Sequence, residues 1–295
     1  MTNPILEKLG FLPTDRLLVL DADDIGLCDA TLAAFDGLNS TGQTVCGSVM
    51  VPCRAFPGVT AYVRNHPQAD LGLHLTMTAE WASSRWGPLL PPEQVSSLVE
   101  PGGWFHASTA GFWEHARPAE AQREAEAQLA LTRQAGLEIT HLNDHMAIFL
   151  KPDFMSILVS LAQAHHLPLR QVRLTAPQPG SWDAANDTLL EQAGREGMPH
   201  FDRDIGLPLD EPDPEVQAAA LVAELAQLPP GTLSCLCFHP AVDTPELRSI
   251  AQDWQARVAN YLAVQSPAVQ QALRQPGMQV IGYRRLREAW IQSSF

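Results

Sequence analysis

The sequence predicts an α/β fold, a single-domain (β/α) barrel of about seven strands. Three observations predict it. Apolar runs alternate with amphipathic segments along most of the chain, the rhythm of a parallel sheet covered by helices. A length of 295 residues suits two average domains or one α/β barrel, 45% hydrophobic content is enough for a large core, and the lack of a convincing linker favours one domain. Carboxylates and imidazoles stand at the C-terminal ends of the predicted strands, where barrels gather their active sites.

The first strand is Leu17-Leu18-Val19-Leu20, four aliphatic residues in a row, as expected of a strand covered on both faces. It runs into Asp21, Asp23 and Asp24 before Gly26. So much negative charge at the end of a buried strand is costly unless a cation or a proton compensates it. Adjacent strand residues face opposite ways, so Asp23 and Asp24 could hold different tasks, one binding a metal and the other handling protons. A solvated strand-to-loop turn would use the same residue types.

Ala30 to Leu38 has helical spacing, with Asp29 placed as its N-cap. Val45 to Pro52 is a second strand, Phe56 to Asn65 a second helix, and Asp70 to Thr76 a third strand with His74 inside its apolar run. Residues 79–118 break the rhythm as an insertion carrying Trp81, Trp86, Trp104, Phe105, Phe112 and Trp113 among prolines and glycines. Such a segment could stack on sugar rings, form the contact of a homodimer, or pack as a satellite apolar cluster.

Ala119 to Gln134 is a helix stopped at Gly136, and Ile139 to Met146 a strand bearing His141 and His145. Pro152 opens a helix striped by Phe154, Ile157, Leu158, Leu161 and Ala162, and Leu167 to Leu174 is a short strand. Thr175 to Asp213 reads as loop-rich, Glu215 to Leu228 as helix, and Thr232 to Phe238 as a strand ending at His239. Thr244 caps one helix striped by Leu247, Ile250, Ala251, Trp254, Val258 and Tyr261, and Met278 to Tyr283 is the last strand.

Nineteen basic and 33 acidic residues give a formal charge of −14, which argues against nucleic acid or an anionic membrane as partner. No apolar run approaches a membrane span, and Met1 to Pro13 lacks the basic-then-apolar pattern of a signal peptide. Cys28, Cys46, Cys53, Cys235 and Cys237 have no paired-doublet spacing, which points to reduced thiols and a cytoplasmic setting.

The strand ends carry Asp23 and Asp24, His74, His141 and His145, and His239. Two imidazoles and one carboxylate, with positions left for water, make a catalytic divalent-metal site. Such a metal polarises a carbonyl, a free carboxylate beside it takes a proton from water, and an imidazole opposite protonates a leaving amine.

Asp21-Ala22-Asp23-Asp24-Ile25-Gly26-Leu27, Gly72-Leu73-His74-Leu75-Thr76, Thr140-His141-Leu142-Asn143-Asp144-His145 and Phe238-His239-Pro240 resemble, in order and spacing, the YdjC/ChbG-like carbohydrate deacetylases. The resemblance runs from about Arg16 to Leu286. It implies a distorted, polysaccharide-deacetylase-like barrel and a metal-dependent hydrolase of a linear amide, removing acetyl groups from N-acetylated amino sugars. Carried over by position, Asp24, His74 and His145 match the metal ligands, Asp23 the catalytic base, and His239 a proton donor or product-binding histidine. Two departures bear on substrate and metal preference: Asp21 stands where the family usually has Asn, and Asn143-Asp144 where it usually has Asp-Ser. Glu80 to Pro88 resembles one branch of the family, which leaves an oligosaccharide or a lipid-linked amino sugar as substrate. One divalent cation is implied. Mixed nitrogen and oxygen donors suit zinc, cobalt, manganese or nickel, while the family is often described with magnesium.

Two other readings compete. A phosphoesterase or ring amidohydrolase on a similar barrel would need more ligands, such as a His-x-His pair on the first strand, which is absent. A non-catalytic sugar-binding or metal-storage protein would not need Asp23 beside a full ligand set.

Overall fold

The computed structural model describes residues 2–172 and 181–292. Strand β1 (Arg16–Ile25) is buried at every position after Arg16, which is why its sequence is continuously aliphatic before the carboxylates begin. On one side it neighbours β2 (Cys46–Val49), β3 (Asp70–Leu75) and β4 (Leu142–Asp144); on the other, β6 (Thr232–Phe238) and β5 (Arg203–Gly206). All of these pairings are parallel. A short β7 (Met278–Val280) pairs with Arg16 to Leu18, while β2 pairs only from Asp21 onward, so the two share one edge of β1. Single bridges from Leu142 to Leu169 and from Val172 to Phe201 carry the pairing from β4 towards β5, and the sheet curls into an incomplete barrel.

The covering helices are α1 (Pro4–Lys8), α2 (Asp29–Asn39), α3 (Phe56–Asn65), α4 (Thr109–His115), α5 (Pro118–Gln134), α6 (Pro152–His165), α7 (Trp182–Arg195), α8 (Pro214–Ala226), α9 (Pro245–Ile250), α10 (Trp254–Gln265), α11 (Pro267–Leu273) and α12 (Tyr283–Gln292). Proline opens many of them, because the first helical N–H has no intrahelical partner to lose. Among the described residues no helix is long and apolar enough to cross a membrane.

Alternation along β1 divides the core. Leu18, Leu20 and Ala22 join the large cluster under the helices, with Leu236 and Phe238 of β6. Leu17 and Val19 join a second cluster with Leu233, Cys235, Phe201 and Tyr283, on the concave face closed at its base by α1 and α12. The register pairs Asp21 with Cys237, so Asp21, Asp23, Cys237 and His239 continue that concave face towards the strand ends.

Several expectations need correction. The strand expected at Leu167 to Leu174 reduces to the bridges at Leu169 and Val172, with residues 173 and 174 outside the described part. Pro168 has no N–H to give, and only its carbonyl and the Arg170 amide reach Leu142. Of the stretch expected to be loop-rich, 175–180 lie outside the described residues and the remainder contains α7 and β5. Strand β5 was illegible because three of its four residues are exposed, leaving no apolar run. The helix expected from Pro245 through Tyr261 breaks at extended Ala251 into α9 and α10. Asp29 is the first residue of α2 and not its cap, a place taken by Cys28. Strand β4 is shorter than Ile139 to Met146, and Tyr283 belongs to α12 instead of the last strand.

Gly72 on β3 lies under the ring of His141, which stacks on Tyr283 with centroids 3.7 Å apart. A Cβ at position 72 would overlap that ring. Gly72→Ala should therefore cost roughly 1–3 kcal/mol, the usual range for overpacking. Urea unfolding would measure it, and an unchanged midpoint would contradict this packing.

Candidate metal centre

Alternation alone would send Asp23 and Asp24 to opposite faces of β1. The strand avoids this. Its register against β2 shifts between Ala22 and Ile25, and Asp24 takes a left-handed conformation with φ 64°. The bulge turns the second carboxylate back beside the first. A left-handed non-glycine residue costs of order 1–3 kcal/mol and persists where its surroundings demand it.

Asp24 then meets two imidazoles. Its Oδ1 lies 3.2 Å from His74 Nε2 and 3.1 Å from His145 Nδ1. His74 projects from β3; His145 follows β4, where Met146 (φ 59°) and Ala147 (φ 53°) turn the chain at once. All three groups are buried, and their donor atoms lie within 4.8 Å of one another. The remaining oxygen, Asp24 Oδ2, accepts from Arg257 Nη1 of α10 at 2.7 Å.

The outward nitrogens are committed elsewhere. Asn143 Nδ2 donates to Asp23 Oδ1 at 2.9 Å and to Ser48 Oγ at 3.0 Å, which turns its amide oxygen towards His74 Nδ1, 2.6 Å away. His74 thus carries its proton on Nδ1 and directs the Nε2 lone pair inward. Glu80 Oε2 lies 3.0 Å from His145 Nε2 and leaves Nδ1 facing Asp24. Three acceptors aimed at one point need a proton or a cation between them. Burial works against a charged His145, yet Asp24 and Glu80 outweigh it and push the imidazole up to about 10. His74 is raised by Asp23 and Asp24 in the same way, against its burial. Asp24 itself, despite burial, is held well below the carboxylate range by Arg257 and His145. A buried Asp-His-His set of this kind, with each imidazole oriented from behind, could hold a divalent cation.

Asp23 has different surroundings. Ser48 Oγ donates to Oδ1 at 2.5 Å. Arg170 Nη1 lies 3.0 Å from Oδ2, Cys237 Sγ donates to it at 3.2 Å, and His239 Nε2 stands 3.9 Å away. Burial would raise this carboxyl, but Arg170, His74 and His239 hold it far below its ordinary value, so it is anionic. His239 keeps a side-chain exposure of 22%, the most open imidazole of the group, and burial pushes its proton affinity below the ordinary value.

The structure brings Asp23, Asp24, His74, His145 and His239 together, and places His141 behind them, between Gly72, Tyr283 and Thr140. Sequence reasoning missed Arg170, Arg257, Ser48 and the role of Glu80. The aromatic insertion divides. Trp86, Phe105 and Phe112 are core, Trp104 is exposed, and half-buried Trp81 packs edge-on against Trp86 under the Arg257 guanidinium. Trp86 also faces the His145 ring at 6.3 Å, so the insertion reaches the site through Glu80, Trp81 and Trp86.

Fold and site together define an α/β-barrel enzyme with a candidate metal centre at the C-terminal ends of its strands. The chain belongs to the YdjC-like family, whose model, described as YdjC-like protein, matches residues 17–275. It is 34% identical over 292 residues to a carbohydrate deacetylase of Thermus thermophilus, covering 97% of this chain and 98% of that one. It is 24% identical over 270 residues to a carbohydrate deacetylase of Geobacillus stearothermophilus, covering 91% and 97%. A crystal structure from Enterococcus faecalis V583, of a protein with a proposed role in cellobiose-phosphate cleavage, superposes with a TM-score of 0.76 at 22% identity, covering 92% of this chain and 99% of that one. That likeness establishes the fold.

The electrostatics of the metal-free centre have a measurable sign. His145 is raised from an ordinary value near 6.5 to about 10, so the stability it contributes is complete below about pH 6.5, declines above it and is gone past about pH 10. The stability difference between chelator-treated wild type and His145→Asn should shrink across that window in urea titrations. A difference independent of pH would contradict the assignment.

Proposed function

We infer that the protein removes the acetyl group from an N-acetylated amino sugar, using one divalent cation and releasing acetate and a free amine. The observation that carries this is the pairing of an anionic carboxylate, Asp23, held by Arg170 and standing outside the ligand set, with a complete Asp-His-His donor set at its side. A binding protein has no use for the first, and a site for simple metal storage would recruit it as a ligand.

Asp24 Oδ1, His74 Nε2 and His145 Nδ1 would hold the cation, and their two imidazoles favour zinc over magnesium. When bound, it would supply the polarisation that an unreactive amide carbonyl requires. Asp23 does the proton work. Ser48 and Asn143 fix its Oδ1, and Oδ2, which also meets Arg170 and Cys237, faces His239 and would accept a proton from an attacking water. Arg170 keeps that carboxylate charged and oriented. His239, beside Oδ2, with no partner on Nδ1 among the described residues and with its backbone tied by Asn260 Oδ1, would pass the proton to the departing amine. Trp86 faces the His145 ring and Trp81 packs against Trp86, so the two tryptophans back the His145 side. This reading takes the chain as one barrel domain, with residues 79–118 an integral part of the site. The five free thiols fit a reducing, cytoplasmic setting.

Acetate release from a panel of N-acetylated mono- and oligosaccharides, with defined metal added, tests the activity; no acetate from any member would sink it. The carboxylates are separated by substitution. Asp24→Asn should lose metal affinity and be partly rescued by excess metal. Asp23→Asn should keep its metal and lose about 10²–10⁴-fold in kcat, the contribution of a positioned base. Rescue of Asp23→Asn by metal would reverse the two roles.

A further inference from the structure

A second group of donors lies next to the first, and the reaction above does not use it as a group. Cys237 and His239 are two residues apart on β6 and its extension, so they face the same side, and the register with β1 sets them beside Asp23. Asp23, Cys237 and His239 each offer a ligand atom, and these lie within 4.8 Å of one another. Asp23 Oδ2 is 3.2 Å from Cys237 Sγ and 3.9 Å from His239 Nε2. Tetrahedral zinc, with bonds of ~2.0–2.3 Å, spaces its ligands by roughly 3.3–3.8 Å, so three donors already stand near the required triangle. His239 Nδ1 is buried with no hydrogen-bond partner among the described residues, so the ring can shift without breaking a bond to any of them. Cys237 and His239 are only partly buried, which leaves an approach from solvent.

We propose that Asp23, Cys237 and His239 form a second, inhibitory site for soft divalent cations, zinc or cadmium, beside the Asp24–His74–His145 centre. Chemistry selects the ion. Arg170 Nη1 at 3.0 Å from Asp23 Oδ2 repels any cation entering here, and a hard ion such as magnesium or manganese has no affinity for sulfur to set against that. A soft ion gains a metal–sulfur bond. The Cys237 S–H bond breaks, its proton leaves to solvent, and the thiolate pairs with the cation while Arg170 gives up its contact with Asp23. No oxidation state changes. The consequence for turnover rests on the deacetylase reading, since an occupied second site engages Asp23 as a ligand and removes it as a base. The binding itself does not rest on it.

Metal-free protein titrated with cadmium tests the site, by calorimetry for stoichiometry and by the ultraviolet thiolate-to-cadmium charge-transfer band. Wild type should take up two equivalents, the second with the band, whereas manganese should take only one. Cys237→Ser and Cys237→Ala, each checked for folding by circular dichroism, should bind one equivalent of cadmium and show no band. His74→Ala should lose the other equivalent and keep the band, so failure of the first centre and failure of this one give different results. With the enzyme loaded at one equivalent, excess zinc should lower kcat in wild type and not in Cys237→Ser. Cadmium uptake by wild type without the band, or a band that survives both Cys237 substitutions, would overturn the proposal.

Discussion

The structure depends on placing two adjacent, almost fully buried carboxylates side by side. A regular strand cannot do this, because its period of two separates neighbours. The bulge after Ala22 and the left-handed Asp24 overcome that period at a local conformational cost. The charges are then compensated from two directions. Arg257 of α10 holds Asp24 from behind, and Arg170, from the chain just past the Leu169 bridge, holds Asp23. Leaving either anion unpaired would cost about 3–5 kcal/mol, a large share of a domain's stability, so the arginines belong to the fold as much as to the site. They also keep the two carboxylates distinct, one facing imidazoles and the other facing a thiol, an arginine and an open histidine.

Much of this was legible in the residues. Continuous aliphatic runs marked β1 and β6, because strands covered on both faces leave no polar alternation. Polar residues at the ends of those runs stood out against them, and Asp23, Asp24, His74, His145 and His239 lie together at the strand ends. Family membership follows from the comparisons on the same span of chain.

What was not legible has physical causes. The bulge contradicts the alternation rule from which the strand was read, so no pattern in Asp23-Asp24 announces it. Arg257 sits in an amphipathic helix four residues from Asp253, where it looks like one half of an ordinary surface pair. Arg170 follows a proline in a stretch too short to show a period. Glu80 opens the aromatic insertion, whose path back to His145 is set by tertiary contacts: Glu124 of α5 accepts the amides of Leu89 and Leu90, and Glu120 accepts Ser97. Those carboxylates on α5 dock the insertion by its backbone. Their alternation with alanine reads only as a good helix former.

The central claim is that Asp24, His74 and His145 converge on one cation while Asp23 stays free beside them. Anomalous diffraction at the zinc edge, from crystals supplied with a single equivalent of zinc, tests it most directly. One peak should appear within about 2.0–2.2 Å of Asp24 Oδ1, His74 Nε2 and His145 Nδ1, with Asp23 outside bonding distance. A peak coordinated by Asp23, or one bound to His145 through Nε2, would contradict it.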